Sequence, residues 1–590
     1  MKNTIAWLSG FCKFASSSPV IGPKINVDET SQKVFDTVLA VARESGLTTT
    51  FRVAGGWVRD NLLGVPSDDI DFSMDNLTGS QFAAHMADYA QRHPESGIAS
   101  AHTIKANPEK SKHLETVSVL IHGLSVDFVN LRVEGYGDSR IPDMSMGTPD
   151  TDARRRDLTI NALFYNIHAR QVEDFMGGEG LQDLGAGTGK MLLKSPRDPG
   201  EDQVQASTRS FLNDPLRVLR ILRFYSRYPN AVMDPAIEQA MSDPRVQEKF
   251  TYVRGKKGDP DKGVPTKSDK GVSPTRSGPE LIKLFEGASP EKALRVLFKT
   301  GFDKKVFDVP GYHALADLNM DQRNSHHAHT LLEHTLRVVE NTNKIANQYG
   351  VPSEVRGLMN FSALLHDLGK AAPGVGAPKP NNPNEYSYNG HEEHSAMVAD
   401  ELLRHIGVGE DARDFVGMMV SKHMRPHRHS NQDSDWAPKE IGRFVRETRI
   451  HGKDASNDWW KYVMLLSMAD SVSTGVGDPL IEVEKRKKHI GAFDEFLKKV
   501  PIKPLLGGER LMQMFPELDR QKVVNNLNFI RYVQKRLMDE QASGQVNPEN
   551  VEQRAREIMS ELVDVGGTKV PASEQFKKSM AWVNDNCRFA

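Results

Sequence analysis

Apolar and polar positions follow two rhythms along this chain, and the change between them divides it. Phe51-Arg-Val-Ala54 is a short apolar run that ends in Gly55-Gly56 and enters a helix-like segment, Trp57-Val-Arg-Asp60. Ser67-Asp-Asp-Ile-Asp71 and Gly123-Leu-Ser-Val-Asp-Phe-Val-Asn-Leu-Arg132 show a strand-like pattern, in which side chains at i and i+2 share a face. Residues 31 to about 167 alternate strand and helix patterns and predict a mixed α/β unit. From about 168 onward the helical period dominates. Phe211 to Phe224 repeats apolar residues at helical spacing, with Pro215 tolerated in a first turn. Leu331 to Val339 is an amphipathic helix pattern. Arg254 to Arg276 is rich in Gly, Pro, Lys and Ser with no apolar period, and reads as a flexible insert. No internal repeat is visible.

Composition fits a multidomain protein. The chain has 590 residues, and at about 150 residues per domain this predicts about four domains. No apolar run approaches the roughly 20 residues that span a bilayer, so no membrane partner is expected. Cys12 and Cys587 are the only cysteines and lie at opposite ends, which supports neither a disulfide framework nor a cysteine metal site. That usage suits a reducing compartment, and a cytoplasmic location is expected. The first twenty residues are apolar, lightly basic and acid-free, a degenerate targeting pattern without the arginines of a transit peptide. The formal net charge of −2 disfavours wrapping long nucleic acid by bulk charge, while leaving room for local basic patches.

The candidate chemistry begins at the glycine pair. A Gly55-Gly56 turn leaves backbone N–H groups free to approach a triphosphate, with Arg59 beside them. Asp69 and Asp71 bracket one apolar residue, and two carboxylates on one strand face make a hard oxygen site for Mg²⁺. Such a metal aligns an attacking hydroxyl with an α-phosphate and stabilises departing pyrophosphate. Asp127 is a candidate third carboxylate. Asp152-Ala-Arg-Arg-Arg-Asp157 is a dense cationic cluster whose guanidinium groups suit phosphate oxygens and a sugar edge, or else a solvated ion-pair network.

Residues 50 to 225 resemble the class II tRNA nucleotidyltransferases, the CCA-adding enzymes, and the related poly(A) polymerases. The resemblance rests on Arg52-Val-Ala-Gly-Gly-Trp-Val-Arg-Asp60, Ala106-Asn-Pro-Glu-Lys-Ser-Lys-His-Leu-Glu-Thr116, Val126-Asp-Phe-Val-Asn-Leu-Arg132 and Ile160-Asn-Ala-Leu-Phe-Tyr-Asn166, closest to the eukaryotic-type branch. It implies that Asp69 and Asp71 hold the catalytic metals, with Asp127 at the third acidic position. It also implies that Arg155, Arg156 and Asp157, with Asn161, hold the ribose and triphosphate. Glu134 to Gly147 would form a flexible loop that helps the change from C to A addition. Phe211-Leu-Asn-Asp-Pro-Leu-Arg-Val-Leu-Arg-Ile-Leu-Arg-Phe224 resembles the family's base-reading helix, with Asp214 and Arg217 as readers and Arg220 and Arg223 on its basic face. Asn213 departs from the family's acid there, which bears on C-versus-A accuracy. Arg276 to Glu286 resembles a degraded form of a supporting helix. The lysines of the insert either touch RNA or remain solvated.

A second constellation lies near residue 325 and beyond. His334 falls on the amphipathic helix, His366 and Asp367 in Ala363-Leu-Leu-His-Asp-Leu-Gly-Lys370, and Asp470 in Leu465-Leu-Ser-Met-Ala-Asp-Ser471. Imidazole with carboxylate is a ligand set for Mn, Fe, Ni, Zn or Mg. This resembles the HD phosphohydrolase superfamily, with His391 and His423 where two-metal members supply further ligands. His327, His329, His394, His427 and His429 are nearby alternatives that read as structural. The implied chemistry is metal-dependent hydrolysis of phosphomonoesters or 2′,3′-cyclic phosphates, as in repair of damaged tRNA ends.

The expected fold is α+β. A nucleotidyltransferase (polymerase β-like) head at 31–167 follows an N-terminal extension at 1–30. A helical neck and body at 168–324 follows, then a helical HD domain at 325–500 and a helical tail at 501–590. Pro504 to Met512 and Leu537 to Asn547 resemble the tail of bacterial members, so a eukaryotic-like head joins a bacterial-like body. Three readings follow: CCA addition to tRNA 3′ ends from CTP and ATP; poly(A) or partial CC- or A-addition on the same residues; and a non-catalytic RNA-binding protein. The chain is expected to be a monomer or homodimer.

Overall fold

The computed structural model describes residues 18–99, 116–135, 143–185, 189–252, 272–430, 436–448, 459–500, 505–514 and 525–563. The targeting-like first residues, nearly all of the Ala106–Thr116 motif, the insert as far as 271 and both cysteines lie outside them. The chain forms two compact bodies. One runs to Val309 and takes in His405–Gly407; the other begins at Pro310 and resumes at Val408.

The first body is built on a seven-stranded sheet of order β1-β9-β8-β2-β3-β5-β4. In chain order these are β1 (Val20–Ile21), β2 (Phe51–Ala54), β3 (Ile70–Met74), β4 (Val117–Ile121), β5 (Leu124–Asn130), β8 (Leu163–Asn166) and β9 (Gln171–Asp174). Only β3 and β5 run parallel. The sheet therefore reaches past both ends of the expected 31–167 head. Two-residue β1 is too short to show an alternating pattern, and β9 returns from β8 through a turn in which Arg170 adopts φ 53°.

Period two places Phe51, Phe72, Phe128 and Tyr165 on one face of the sheet. Phe72 and Phe128 are register partners across β3 and β5, and their rings stack at 5.2 Å. Helices α1 (Glu29–Glu44) and α3 (Gly79–Arg92) cover this face. Phe35 of α1 meets Phe72 at 5.8 Å, and Phe82 of α3 meets Phe128 at 5.1 Å. Each such ring contributes about 1.5–3 kcal/mol by burial, so this wall fixes the strands that carry the carboxylates on the opposite face. The short helix α2 (Gly56–Leu62) follows β2 directly.

Three segments differ from the sequence pattern. Glu134 to Gly147, expected as a loop, begins and ends as an antiparallel ribbon of β6 (Arg132–Gly135) and β7 (Asp143–Met146). Phe211 to Phe224 is not one helix. Pro215 pushes Asp214 into extended backbone (φ −141°, ψ 103°), so one helix ends at Asn213 and the next spans Arg217–Arg227. Residues at the end of the expected insert are ordered, because Pro274 opens a helix that runs to Phe285. That helix packs on Arg217–Arg227, where the Ser226 hydroxyl donates to the Leu284 carbonyl at 2.6 Å.

Among its described residues the second body is helical apart from a small hairpin, Ala377–Lys379 with Asn382–Ser387. Helix Trp459–Ser473 is buried on nearly every side, through Trp460, Val463, Met464, Leu466 and Ala469, and forms its axis. Helices Leu331–Gln348 and Ser353–Leu365 pack beside it. The last helices share a small core of Leu506, Leu511, Val533, Leu537, Val546, Val551, Ala555 and Ile558.

Candidate functional sites

In the first body Asp71 and Asp127 stand side by side, as register partners on parallel β3 and β5. Asp69 is exposed one residue before β3 begins, and Asp68 beside it is exposed as well. Burial, the Asp69 charge and the Asp127 charge push the Asp71 carboxyl up to about 6, against the opposing pull of Arg156. An Asp71 carboxylate whose charge is opposed by two acidic neighbours suits a divalent cation, which would relieve that repulsion. The Ser118 hydroxyl donates to Asp127 from neighbouring β4.

The glycine turn is shaped for a guanidinium. Gly55 has φ 72° and ψ −116°, and a Cβ there would stand 3.2 Å from Arg156 Nη1. Asp152 at the end of helix α4 (Pro149–Arg154) holds both neighbours in place. Its Oδ1 accepts from Arg155 Nε at 2.7 Å, and its Oδ2 from Arg156 Nη2 at 2.8 Å. Although burial opposes it, the charges of Arg156 and Arg155 hold the Asp152 carboxyl down to about 2.

The other expected phosphate and base contacts are engaged within the protein. Asp157 accepts from Asn161 Nδ2 and from Arg220 Nε, both at 2.9 Å. Arg59 lies beside the glycine turn, its Nη2 3.7 Å from where a Gly56 Cβ would stand, and is engaged there by the protein's own side chains. It is buried, forms a two-pronged pair with Asp60 at 2.9 Å, donates to Asn161, and lies 4.8 Å over the Phe224 ring. Asp214 accepts from Arg276 Nη2 at 2.8 Å. Arg217 donates to the Arg155 carbonyl at 2.6 Å and to the Ser210 hydroxyl at 3.1 Å. Arg220 and Arg223 both reach Glu280, at 3.3 and 2.9 Å. Helix Arg217–Arg227 is thus tied to the arginine cluster by the Arg220–Asp157 ion pair and the Arg217 bond to the Arg155 carbonyl, and Asp214 and Arg217 both have partners within the protein.

In the second body four histidines and two aspartates converge from five separate segments. His334, His366 and Asp470 offer ligand atoms within 4.8 Å of one another, and so do His366, Asp367 and His423. Asp367 joins the two groups. Its Oδ2 lies 3.2 Å from His366 Nε2 and 3.5 Å from His334 Nε2, while its Oδ1 lies 3.0 Å from His391 Nε2 and 3.6 Å from His423 Nε2. Asp470 Oδ1 is 3.1 Å from His334 Nε2.

The backbone sets the tautomers. His366, His391 and His423 each place Nδ1 at 2.7 Å from a carbonyl, of Ala363, Tyr388 and Val420. His334 Nδ1 faces the Ser473 carbonyl at 3.4 Å. A carbonyl only accepts, so Nδ1 carries the hydrogen in each neutral ring and Nε2 turns its lone pair inward. His334 Nε2 and His366 Nε2 are buried without a hydrogen-bond partner. Burial opposes it, but Asp367 and Asp470 beside it push the His334 imidazole up to about 9. These donors fit a pair of divalent cations.

Of the alternatives, His394 is exposed and His329 sits at Gly475. His327 meets Lys370 at 3.3 Å, and His427 contacts Asp470. The side chain of His429 lies outside the described residues. Lys370 was not singled out from sequence, yet its Nζ lies 2.7 Å from Asp367 Oδ2. Its three-residue spacing from Asp367 on a helical turn was the available signal.

Comparison with known proteins finds a matching domain family in each body. Residues 51–188 match the poly A polymerase head domain, and residues 331–472 match the HD domain. The chain therefore carries a head of the poly A polymerase type and a domain of the HD type. The mitochondrial CCA tRNA nucleotidyltransferase of Saccharomyces cerevisiae is 41% identical over 262 residues, 44% of this chain and 42% of that one. A multifunctional CCA protein of Legionella pneumophila is 24% identical over 394 residues, 64% of this chain and 75% of that one. The chain spans between 36% and 52% of the length of the five curated relatives it matches at 34% identity or more. A solved CCA-adding enzyme in an apo form superposes with TM-score 0.50 at 17% identity, over 91% of this chain and 96% of that one, and shows the shared fold.

No helix among the described residues is long and apolar enough to cross a membrane.

Proposed function

We propose that this protein adds C, C and A to tRNA 3′ ends from CTP and ATP without a template. The observation that carries the reading is the register pairing of Asp71 with Asp127, with Asp69 beside them and Arg156 seated on the Gly55 turn. In this reading Asp69 and Asp71 hold Mg²⁺, and Asp127 is the third carboxylate. When bound, the cation supplies charge stabilisation to the attacking hydroxyl and the departing pyrophosphate. Arg155 and Arg156 receive the triphosphate, and Asp157 with Asn161 orients the ribose. Asp214 and Arg217 read the base by exchanging their present partners, Arg276 and the Arg155 carbonyl, for the base edge. The names of the yeast and bacterial relatives support this reading.

The second body favours a further activity, hydrolysis of phosphomonoesters or 2′,3′-cyclic phosphates. Its support is the pair of ligand groups that share His366, with Asp367 facing His334 and His366 by one oxygen and His391 and His423 by the other. His334, His366, Asp367, His391, His423 and Asp470 would hold Mn, Ni, Fe or Zn, which supplies Lewis acidity toward the phosphate. Lys370 stands ready to meet its charge. We place the functional divisions at an extension (1–30), a head (31–167), a neck and body (168–324), an HD domain (325–500) and a tail (501–590). A cytoplasmic location stands beside a mitochondrial one, since two of the relatives are named as mitochondrial.

Incubation of tRNA lacking CCA with CTP alone, ATP alone and both tests the main reading. Two added residues with CTP and three with both are expected. A long tail with ATP alone indicates poly(A) addition, and no extension indicates a binding protein.

A further inference from the structure

Four imidazoles turn Nε2 into the second-body site, and a further one, His427, is turned the other way. His334, His366, His391 and His423 point Nδ1 at backbone carbonyls and Nε2 inward. His427 Nδ1 instead faces the Arg486 guanidinium, with Nη2 at 3.1 Å. A guanidinium only donates, so His427 Nδ1 accepts and the hydrogen of the neutral ring sits on Nε2. That nitrogen lies 2.9 Å from Asp470 Oδ2. The other oxygen of the same carboxylate, Oδ1, faces His334 and His366 at 3.1 and 3.9 Å.

Arg486 is itself held. It is fully buried, and its Nε and Nη2 donate to the Ser467 and Ser471 hydroxyls at 3.1 and 3.0 Å. Both serines lie on the helix that carries Asp470. A planar fork can meet two hydroxyls and a ring nitrogen at once, which a lysine ammonium cannot do with the same fixed geometry.

We propose that His427 is a positioning residue for the metal centre. Arg486 fixes it as the Nε2–H tautomer, and that N–H lies against Asp470 Oδ2 at 2.9 Å, so that Oδ1 is the oxygen offered to a divalent cation. A nitrogen that carries hydrogen has no lone pair to give a metal, which separates His427 from the four ligating histidines. The proposal rests on the reading of this cluster as a cation site.

Its test is the Mn²⁺ affinity of the full chain, measured by competition with a chelating dye, with thermal melts to follow folding. Asp470→Ala should abolish tight Mn²⁺ binding; unchanged affinity there overturns the cation-site reading itself. His427→Ala should weaken binding about 10- to 100-fold, the usual cost of losing a group that orients a ligand. His427→Gln, whose amide N–H can reach the same oxygen, should recover most of that loss. Wild-type affinity in His427→Ala, or a His427→Gln variant as weak as His427→Ala, overturns the positioning role while leaving the site intact. Should His427→Ala not fold, Arg486→Lys carries the same test. Weaker Mn²⁺ binding supports the tether, and unchanged binding contradicts it.

Discussion

The carboxylates of the head differ in what surrounds them, and the surroundings predict how each variant behaves. Asp71 is half-buried among Asp69, Asp127 and Arg156, whereas Asp68 is exposed. Asp69→Ala or Asp71→Ala should remove a ligand to a transition-state charge, at a cost of roughly 3–4 kcal/mol or more, about 100- to 1,000-fold in rate. Asp68→Ala should change the rate little. Single-turnover incorporation at saturating CTP, with tRNA binding followed separately, measures both effects. An essential Asp68 beside a dispensable Asp69 would place the metal on the other face of the segment.

Asp152 gives the residue-scale prediction for pH. Its carboxyl is lowered to about 2, so it binds fewer protons folded than unfolded, and its contribution rises with pH. That contribution is complete above the unfolded value near 4 and disappears as pH falls through about 2. Asp152→Asn should destabilise the head by about 3–5 kcal/mol at pH 7, because it leaves Arg155 and Arg156 partly buried without their counter-charge. Denaturant unfolding at pH 7 and near pH 2 checks the sign: the gap between variant and wild type narrows at the lower pH. A constant gap would assign the loss to packing.

At the scale of elements, close approaches and helix ends do the positioning. Gly369 follows the His366–Asp367 pair, and a Cβ there would stand 2.1 Å from the His391 carbonyl and 2.7 Å from the Ser395 nitrogen. Gly369→Ala must therefore push apart the segment bearing Asp367 and the helix bearing His391. We expect weaker binding at the second-body site with head activity retained, seen by metal titration beside nucleotide incorporation. Affinity equal to wild type would mean that the two segments yield without cost.

The break at Pro215 sets Arg217 at the start of its own helix, within reach of the Arg155 carbonyl. Arg217→Ala should raise the KM for CTP and ATP and admit UTP or GTP, since a lost donor discriminates by about 1–3 kcal/mol per base edge. Kinetics with all four nucleotides decide this, and unchanged selectivity would move base reading elsewhere. Asn213 ends the preceding helix, so Asn213→Asp should act on fidelity more than on folding.

For the whole molecule, what the sequence disclosed follows the range of the interactions. The Asp69-Ile-Asp71 spacing, the Gly55 turn and the His366–Asp367 pair are local patterns, and period and side-chain chemistry reveal them directly. The pairing of Asp71 with Asp127 needed a strand register that no local pattern states. The engagement of Arg59 by Asn161, of Arg220 by Asp157 and Glu280, and of His427 by Arg486 spans about sixty to a hundred residues of chain. Such partners are chosen by packing, so their side chains carry no mark of them in sequence. The helix break at Asp214 was legible in principle, because proline restricts the residue before it, but the apolar period on either side concealed it.

The two bodies carry separate ligand sets, so their chemistry should separate. His366→Ala with Asp367→Ala should remove metal-dependent phosphatase or cyclic phosphodiesterase activity and leave nucleotide addition at the wild-type rate. Equal loss of both in a folded protein would mean one composite site. The central claim is tested most directly by sequencing the 3′ ends formed on tRNA that lacks CCA, with all four nucleotides present. The account predicts C, C and A in order, then a stop. A run of A, a mixture of bases or an unextended end would contradict it.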